Sequence, residues 1–489
     1  MAILPQIKHI IAVMLENRSF DNICGWLYKP GVAPAQPSQF LPASSPQQFD
    51  GLKSTFFNPV TRDYFTNPSS PTYPVFDKAT ATNIPVLDPL EDILNVNVQL
   101  FGPESDNPNP NPKFPNMGFV IDYAESIKDA GLTNIPVEIM EPFSSDQLPV
   151  ISHLAWNYAV CDAWFSSVPS DTWPNRCFFH AGTSNGNAVN GKIPNPFDWN
   201  ARNIFNVLDD MGADWRVYHD TVLVPSLTLL MFPNLWPHAL SRFSGFDRFK
   251  SDCSAGTLPQ YSFLEPSFLV NPNDEHPPHD VIAGEQFLYD IWQAVSKSPA
   301  WPETLLMITY DEHGGTYDHV FPPFNAKPPD NKQAGPPYNF AFDRFGVRVP
   351  AVLVSPWIQA GTVFRSPGTT PYDHTSMLAT LRDWLSIPQE KMLTSARVAA
   401  APTLEQVLTL TNARRDMPVI PAPAGEIKAT ATFKDPTPIQ ESLVSARAVQ
   451  QGKDPAAVLS TIRTRQDAID YFASNPATTP SATTPGAGV

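Results

Sequence analysis

Apolar residues in this chain come in short runs that stop abruptly at polar clusters. Thr304 to Thr309 is apolar and β-favouring, runs into Tyr310, Asp311, Glu312 and His313, and is turned at once by Gly314 and Gly315. Ile7 to Leu15 follows the same pattern: a buried strand delivers Glu16, Asn17 and Arg18, and Ser19 is placed to cap a helix through Trp26. Ala159 to Pro169, Trp215 to Tyr218 ending at His219, and Pro350 to Pro356 read as further strands. Helical spacing marks Gly118 to Ala130, Gln147 to Tyr158, Ala283 to Ser296 and Ser376 to Leu385. Buried strands alternating with helices predict an α/β fold, in which loops at the carboxyl ends of the strands build the site.

Between Tyr28 and Asn116 periodicity fades into Pro, Asn and Ser, including Asn107-Pro-Asn-Pro-Asn-Pro112, which predicts a long insertion of ordered loops over or beside the site. The expected organisation is one domain over 1–400 with 28–116 as a loop-rich insertion, a helical extension over 401–472, and a disordered tail over 473–489. Two short helices are expected in the extension, Val444 to Gln451 and Pro455 to Tyr471.

Composition narrows the function classes. The chain has 489 residues, and 32 Lys+Arg against 48 Asp+Glu give a net charge of −16, which argues against a partner bound through its phosphate backbone, such as a nucleic acid. Cutting a phosphate ester is still open to it, because a bound divalent metal reverses the local field. The 55 prolines imply stiff surface loops. Cys24, Cys161, Cys177 and Cys253 lie far apart, which argues against structural zinc and leaves disulfides or simple burial open, burial being the plain reading of Cys161 and Cys177. No apolar run is long enough to span a membrane, and the N-terminal residues lack a signal-peptide pattern, so a cytoplasmic location or a non-classical export route is expected.

The polar clusters carry the candidate chemistry. Asp311 and Glu312, and likewise Glu16 and Asn17, put hard oxygen donors side by side at strand ends; this suits a metal, though each could serve as a loop cap. Thr172 lies at the start of a helix whose first turn holds Pro174, where backbone N–H groups favour an anion. A hydroxyl there is either a nucleophile or, as is usual for a lone Thr, an N-cap. His276 and His279 are held by prolines in a loop before a helix, a place for imidazoles that contact an anion, and His374 opens the helix near Ser376. Trp164, Phe165 and Trp173 read either as a cation cage or, more simply, as core.

Four motifs together resemble the phosphoesterase family that contains bacterial non-haemolytic phospholipases C, plant non-specific phospholipases C and certain acid phosphatases. They are Glu16-Asn-Arg-Ser-Phe-Asp21, Pro169-Ser-Asp-Thr-Trp-Pro-Asn-Arg176, Thr309-Tyr-Asp-Glu-His-Gly-Gly315 with Tyr317-Asp-His319, and Tyr372-Asp-His-Thr-Ser376, in the family's order. The resemblance implies an alkaline-phosphatase-like fold, a mostly parallel sheet with helices on both faces. It also implies that Glu16, Asn17, Thr172, Asp311 and Glu312 hold one divalent metal, with Thr172 at the family's Ser/Thr nucleophile position. His276 and His374, and with them His219 and His319, match imidazoles that hold phosphoryl oxygens or protonate the leaving group. An all-oxygen ligand set favours Ca²⁺, Mg²⁺ or Mn²⁺ over Zn²⁺.

The expected activity is that of a phospholipase C, cleaving phosphatidylcholine-type lipids through a phosphothreonine, in transient contact with a membrane surface. The alternatives are an acid phosphatase acting on monoesters and a non-catalytic interaction protein that keeps the fold. The chain departs from the family in lacking a twin-arginine signal and in ending in a mostly helical or disordered tail where larger bacterial members have β-rich domains.

Overall fold

Strands form where the apolar runs stand. The computed structural model describes residues 3–32, 34–133, 136–191, 193–220, 223–427 and 435–476. Its main sheet has nine strands: β1 (His9–Leu15), β2 (Gln39–Leu41), β3 (Ala159–Cys161), β4 (Trp215–His219), β5 (Phe243–Gly245), β6 (Tyr261–Glu265), β7 (Thr304–Tyr310), β8 (Ala351–Val354) and β9 (Thr362–Phe364). Their order is β2-β9-β3-β8-β7-β1-β6-β4-β5, and β8 alone runs antiparallel to both its neighbours. This is the mixed α/β, mostly parallel sheet expected from the sequence. The central strands β1 and β7 are buried along nearly their whole length, because a parallel sheet is covered on both faces.

Register turns this topology into a site. Residues β1 and β7 pair in step from His9 opposite Thr304 to Leu15 opposite Tyr310, so Glu16 and Asp311 leave the sheet side by side at its carboxyl edge. On the other flank β1 pairs with β6, whose exit leads to the loop carrying Asp274 and His276. Because β8 runs the opposite way, Arg348, just before it, also arrives at this edge.

The helices that matter here are α1 (Phe20–Cys24), α2 (Ile93–Phe101), α3 (Phe119–Asp129), α4 (Pro149–Asn157), α5 (Thr172–Ala181), α6 (Val281–Ser296), α7 (Thr375–Trp384), α8 (Pro438–Gln450), α9 (Pro455–Leu459) and α10 (Arg465–Ser474). They flank the sheet, α4 packing with α6 and α5 with α7. Ser19 caps α1 by accepting from the Asn22 N–H, although that helix stops at Cys24 rather than reaching Trp26.

The 28–116 segment holds more regular structure than its composition suggests. It supplies the edge strand β2, a small hairpin of Phe57–Pro59 with Thr72–Pro74, and α2, capped by Asp92 through the N–H groups of Leu94 and Asn95. In the extension the expected second helix is two, α9 and α10, separated by a turn. Helix α8 and Arg465 hold the loop before Asp274: Gln440 donates to the Phe268 carbonyl at 2.9 Å and Arg465 Nη2 to that of Leu269 at 2.6 Å. Helix α10 runs to Ser474, and residues 477–489 of the expected tail lie outside the described residues. All four cysteines are buried free thiols.

Candidate active site

The β1 and β7 exits are stitched together by their own polar groups. The Asp311 N–H donates to the Leu15 carbonyl at 3.2 Å and the Arg18 N–H to the Glu312 carbonyl at 3.0 Å. Asp311 Oδ1 accepts from the backbone N–H groups of Asn17 and Glu312 at 3.0 and 2.8 Å. Asn17 takes a left-handed backbone, φ +54°, and Gly314 one of +57°. A Cβ on Gly314 would sit 2.0 Å from the Asn17 carbonyl oxygen, so glycine is required where the two loops cross. Such strain in a non-glycine residue persists only where the surroundings fix it, as they do here.

Thr172 is the first residue of α5, one place inside the helix, with Asp171 as its N-cap. Its hydroxyl donates to Glu16 Oε2 at 3.3 Å. One turn later on the same face, Arg176 Nε donates to Glu16 Oε1 at 3.0 Å, Nη2 reaches the same oxygen, and Nε lies 3.6 Å from Asp311 Oδ2. The structure therefore joins Glu16, Thr172, Asp311 and Arg176 directly. Thr172 is 2 % exposed, and Glu16, Asn17, Asp311 and Glu312 are fully buried, so substrate access requires a local opening.

The donor set fits a divalent cation. Asn17 Oδ1, Asp311 Oδ2 and Glu312 Oε1 are buried and accept no hydrogen bond from any described residue, although buried oxygens are almost always paired. The other Glu312 oxygen accepts from the Gly314 N–H at 2.7 Å. Burial, with Asp311 and Asp274 adding and Arg176 opposing, pushes the Glu16 carboxyl well above its ordinary range; burial and then Asp311 do the same to Glu312. Burial raises Asp171 to about 7. So much clustered acid repels a phosphate ester unless positive charge beyond Arg176 joins it. Glu16 answers Arg176 in this arrangement.

The four histidines part company. His374 is buried against the site: Nε2 pairs with the Asp311 carbonyl oxygen at 2.6 Å, and Nδ1 accepts from Trp164 Nε1 at 3.4 Å. With Nδ1 accepting from Trp164, Nε2 is the nitrogen that donates to the Asp311 carbonyl, and burial lowers the pKa of the ring. His276 lies on the loop whose Asp274 carbonyl accepts the Glu16 N–H at 2.8 Å, so that loop is tied directly to β1. Its ring contacts Asp88 at 3.8 Å, and Asp88, Glu91 and His276 form a mixed acid and imidazole cluster. His219 ends β4, in register with Gly245 and Glu265 and two strands from β1. His319 belongs to a separate network: Nδ1 binds Asp21 Oδ2 at 2.7 Å, Nε2 binds Asp50 Oδ1 at 3.2 Å, and the ring stacks on Phe56. His279, which the resemblance does not include, pairs through Nδ1 with Asp274 Oδ1 at 2.6 Å. Trp164 stacks on Tyr372 and Trp173 packs against Trp199, both fully buried, so they are core.

Three participants had no role in the sequence reading. Arg176 had a usable signal, its i,i+4 spacing from Thr172 on a helix. Asp88 and Glu91 sit in the loop-rich insertion, where no periodicity announces them.

Residues 7–388 match the Phosphoesterase family. The chain is 36 % identical over 433 residues to non-specific phospholipase C4 of Arabidopsis thaliana, covering 84 % of this chain and 73 % of that protein. It is 27 % identical over 424 residues to phospholipase C B of Mycobacterium tuberculosis, covering 79 % and 74 %. Among solved structures, an alkaline phosphatase superfamily protein from Vibrio parahaemolyticus matches at 13 % identity and a TM-score of 0.33, covering 52 % of this chain and 64 % of that one.

Proposed function

The chain belongs to the Phosphoesterase family and is a hydrolase of phosphoric ester bonds, and from that premise we propose that it is a phospholipase C acting on phosphodiester lipids. The observation that carries the reading is the Thr172 hydroxyl, held on Glu16 at 3.3 Å beside oxygens of Asn17, Asp311 and Glu312 that accept no hydrogen bond from any described residue.

Thr172 Oγ1 attacks phosphorus and passes its proton to Glu16, which already accepts its hydrogen bond. The P–O bond to the diacylglycerol oxygen breaks, that oxygen takes a proton from an acid in the site, and the head-group phosphoryl stays on Thr172. His276, on the loop tied to Glu16, is the imidazole for that transfer. Water then attacks the same phosphorus and gives a proton back to His276, the P–Oγ1 bond breaks to release the phosphorylated head group, and Glu16 returns its proton to Thr172 Oγ1. Arg176 keeps Glu16 oriented through both steps. His374, fixed on the Asp311 carbonyl, positions the β7 exit rather than moving protons. Asn17, Asp311 and Glu312, with Glu16 and Thr172, would hold a divalent ion, which supplies Lewis-acid stabilisation of the ionised hydroxyl and of the non-bridging oxygens. The oxygen-rich set favours Ca²⁺, Mg²⁺ or Mn²⁺.

The test compares release from p-nitrophenylphosphorylcholine and p-nitrophenyl phosphate before and after chelator treatment. Diester cleavage that is lost on chelation and restored by Mn²⁺ or Ca²⁺ is expected. Dominant monoester cleavage would overturn the phospholipase reading in favour of a phosphatase.

A further inference from the structure

The loop between β6 and α6, residues 266–280, carries His276 and is held from two sides. Toward the site, the Asp274 carbonyl accepts the Glu16 N–H at 2.8 Å and the Glu275 carbonyl accepts from Arg18 Nε at 2.7 Å. The Asp274 carboxylate accepts the His276 N–H at 3.1 Å, which fixes the backbone at the imidazole itself. Near the start of the loop the Phe268 ring faces the Arg176 guanidinium, 5.4 Å from the ring centroid. The same loop thus touches the residue that orients Glu16.

On the far side the holding groups belong to the C-terminal extension. Gln440 of α8, fully buried, donates from Nε2 to the Phe268 carbonyl at 2.9 Å. Arg465, the first residue of α10, donates from Nε and Nη2 to the Leu269 carbonyl at 2.9 and 2.6 Å, and its charge acts on His279 and answers Asp274. The helices that present these groups are themselves fixed. Arg447 of α8 donates from Nε and Nη2 to the Asn475 carbonyl just past α10 at 3.2 and 2.9 Å, and Leu443, Val444, Ala468 and Phe472 join the main core. Both helices lie beyond residue 388, where the match to the Phosphoesterase family ends, so these contacts come from outside the matched region.

We propose that Gln440 and Arg465 are positioning residues for ester cleavage: through the carbonyls of Phe268 and Leu269 they hold the loop so that His276 meets the departing oxygen. This rests on the reading of His276 as the proton donor. A general acid works only within hydrogen-bond reach of the oxygen it protonates, and a displacement of about 1 Å can cost on the order of 10²-fold in rate. Holding the loop at Asp274 alone would leave its first half free to swing, together with the ring against Arg176. The extension closes that freedom, and so takes part in the reaction without touching the substrate.

The leaving group supplies the test. A p-nitrophenolate departs as a stable anion and needs no proton, whereas the diacylglycerol oxygen does, so a misplaced acid slows the lipid and spares the nitrophenyl ester. Turnover of phosphatidylcholine in detergent micelles and of p-nitrophenylphosphorylcholine is measured for the full chain as wild type, Arg465→Met, Gln440→Met, Arg465→Lys and His276→Asn, with circular dichroism melts to check folding. Arg465→Met and Gln440→Met are expected to lose at least about tenfold in kcat on the lipid at little changed KM, and to stay within about twofold of wild type on the nitrophenyl ester. Arg465→Lys, which keeps a charged donor, should recover a large part of the loss. Arg465→Met combined with His276→Asn should be no slower on the lipid than His276→Asn alone, because both act on one proton transfer. Equal losses on the two substrates, wild-type turnover of the lipid by both Met variants, or losses that multiply with that of His276→Asn would overturn the proposal. The two Met variants act at different carbonyls, so one that misfolds leaves the other to decide. A selective loss in His276→Asn with none in the Met variants refutes the clamp alone, whereas a wild type that cleaves neither ester refutes the phospholipase reading beneath it.

Discussion

Replacing His319 with Gln should destabilise the protein at about pH 6 and change it little at about pH 10. Burial alone would pull this imidazole down, but Asp21 at 2.7 Å and Asp50 at 3.2 Å outweigh both burial and the repulsion of Arg348, and its pKa rises to about 9. Against an ordinary value near 6.5 the shift is about 2.5 pH units, or about 3 kcal/mol at 1.36 kcal/mol per unit. Because the folded value lies above the unfolded one, this contribution is complete below about pH 6.5 and fades as pH rises through about 9. The groups facing the ring are Asp21, Asp50, Asp318, Arg348 and Phe56, so loss of the Phe56 stack adds only a pH-independent offset. Denaturant unfolding of wild type and His319→Gln at about pH 6, 8 and 10 reads the difference directly. A gap between the two proteins that is the same at every pH would refute the reasoning and mean that His319 is neutral throughout.

Arg176→Ala removes one partner of a fully buried ion pair with Glu16, so a loss of roughly 3–5 kcal/mol is expected in denaturant unfolding; a change below about 1 kcal/mol would contradict the pairing. Gly314→Ala forces a Cβ against the Asn17 carbonyl at a positive φ, and should cost at least about 2 kcal/mol and weaken Mn²⁺ retention, whereas wild-type stability would show that the loop crossing is slack. Because burial raises the thiol pKa values of Cys24, Cys161, Cys177 and Cys253, a thiol reagent should find none of them in the native protein and all four after unfolding.

Much of the fold was legible because apolar runs of strand length are a direct consequence of a sheet covered on both faces. Residues 304–310 and 9–15 announced themselves in this way, and the polar clusters behind them became the site through register alone. What stayed hidden depended on contacts distant in sequence. The pairing of Gln39–Leu41 with Thr362–Phe364 made an edge strand from a segment without strand periodicity. Helix α2 was concealed because Asn97 and Gln99 occupy buried positions where apolar residues would mark a face; Gln99 is held there by Asp122 and His313, and Asn97 by Arg344. For the histidines, sequence placed His219, His276 and His374 near strand or helix ends and His319 only within a motif, and could not say what any of them faced. Only the structure separates His374 on the Asp311 carbonyl from His319 on Asp21 and Asp50.

The most direct test of the account is to stop the reaction with acid during turnover of p-nitrophenylphosphorylcholine and weigh the peptide that contains Thr172. A phosphocholine adduct on Thr172 is predicted, together with loss of at least about 10³-fold in turnover for Thr172→Ala at nearly unchanged melting temperature. Wild-type turnover by Thr172→Ala, or an adduct on another residue, would contradict the assignment of Thr172 as the nucleophile.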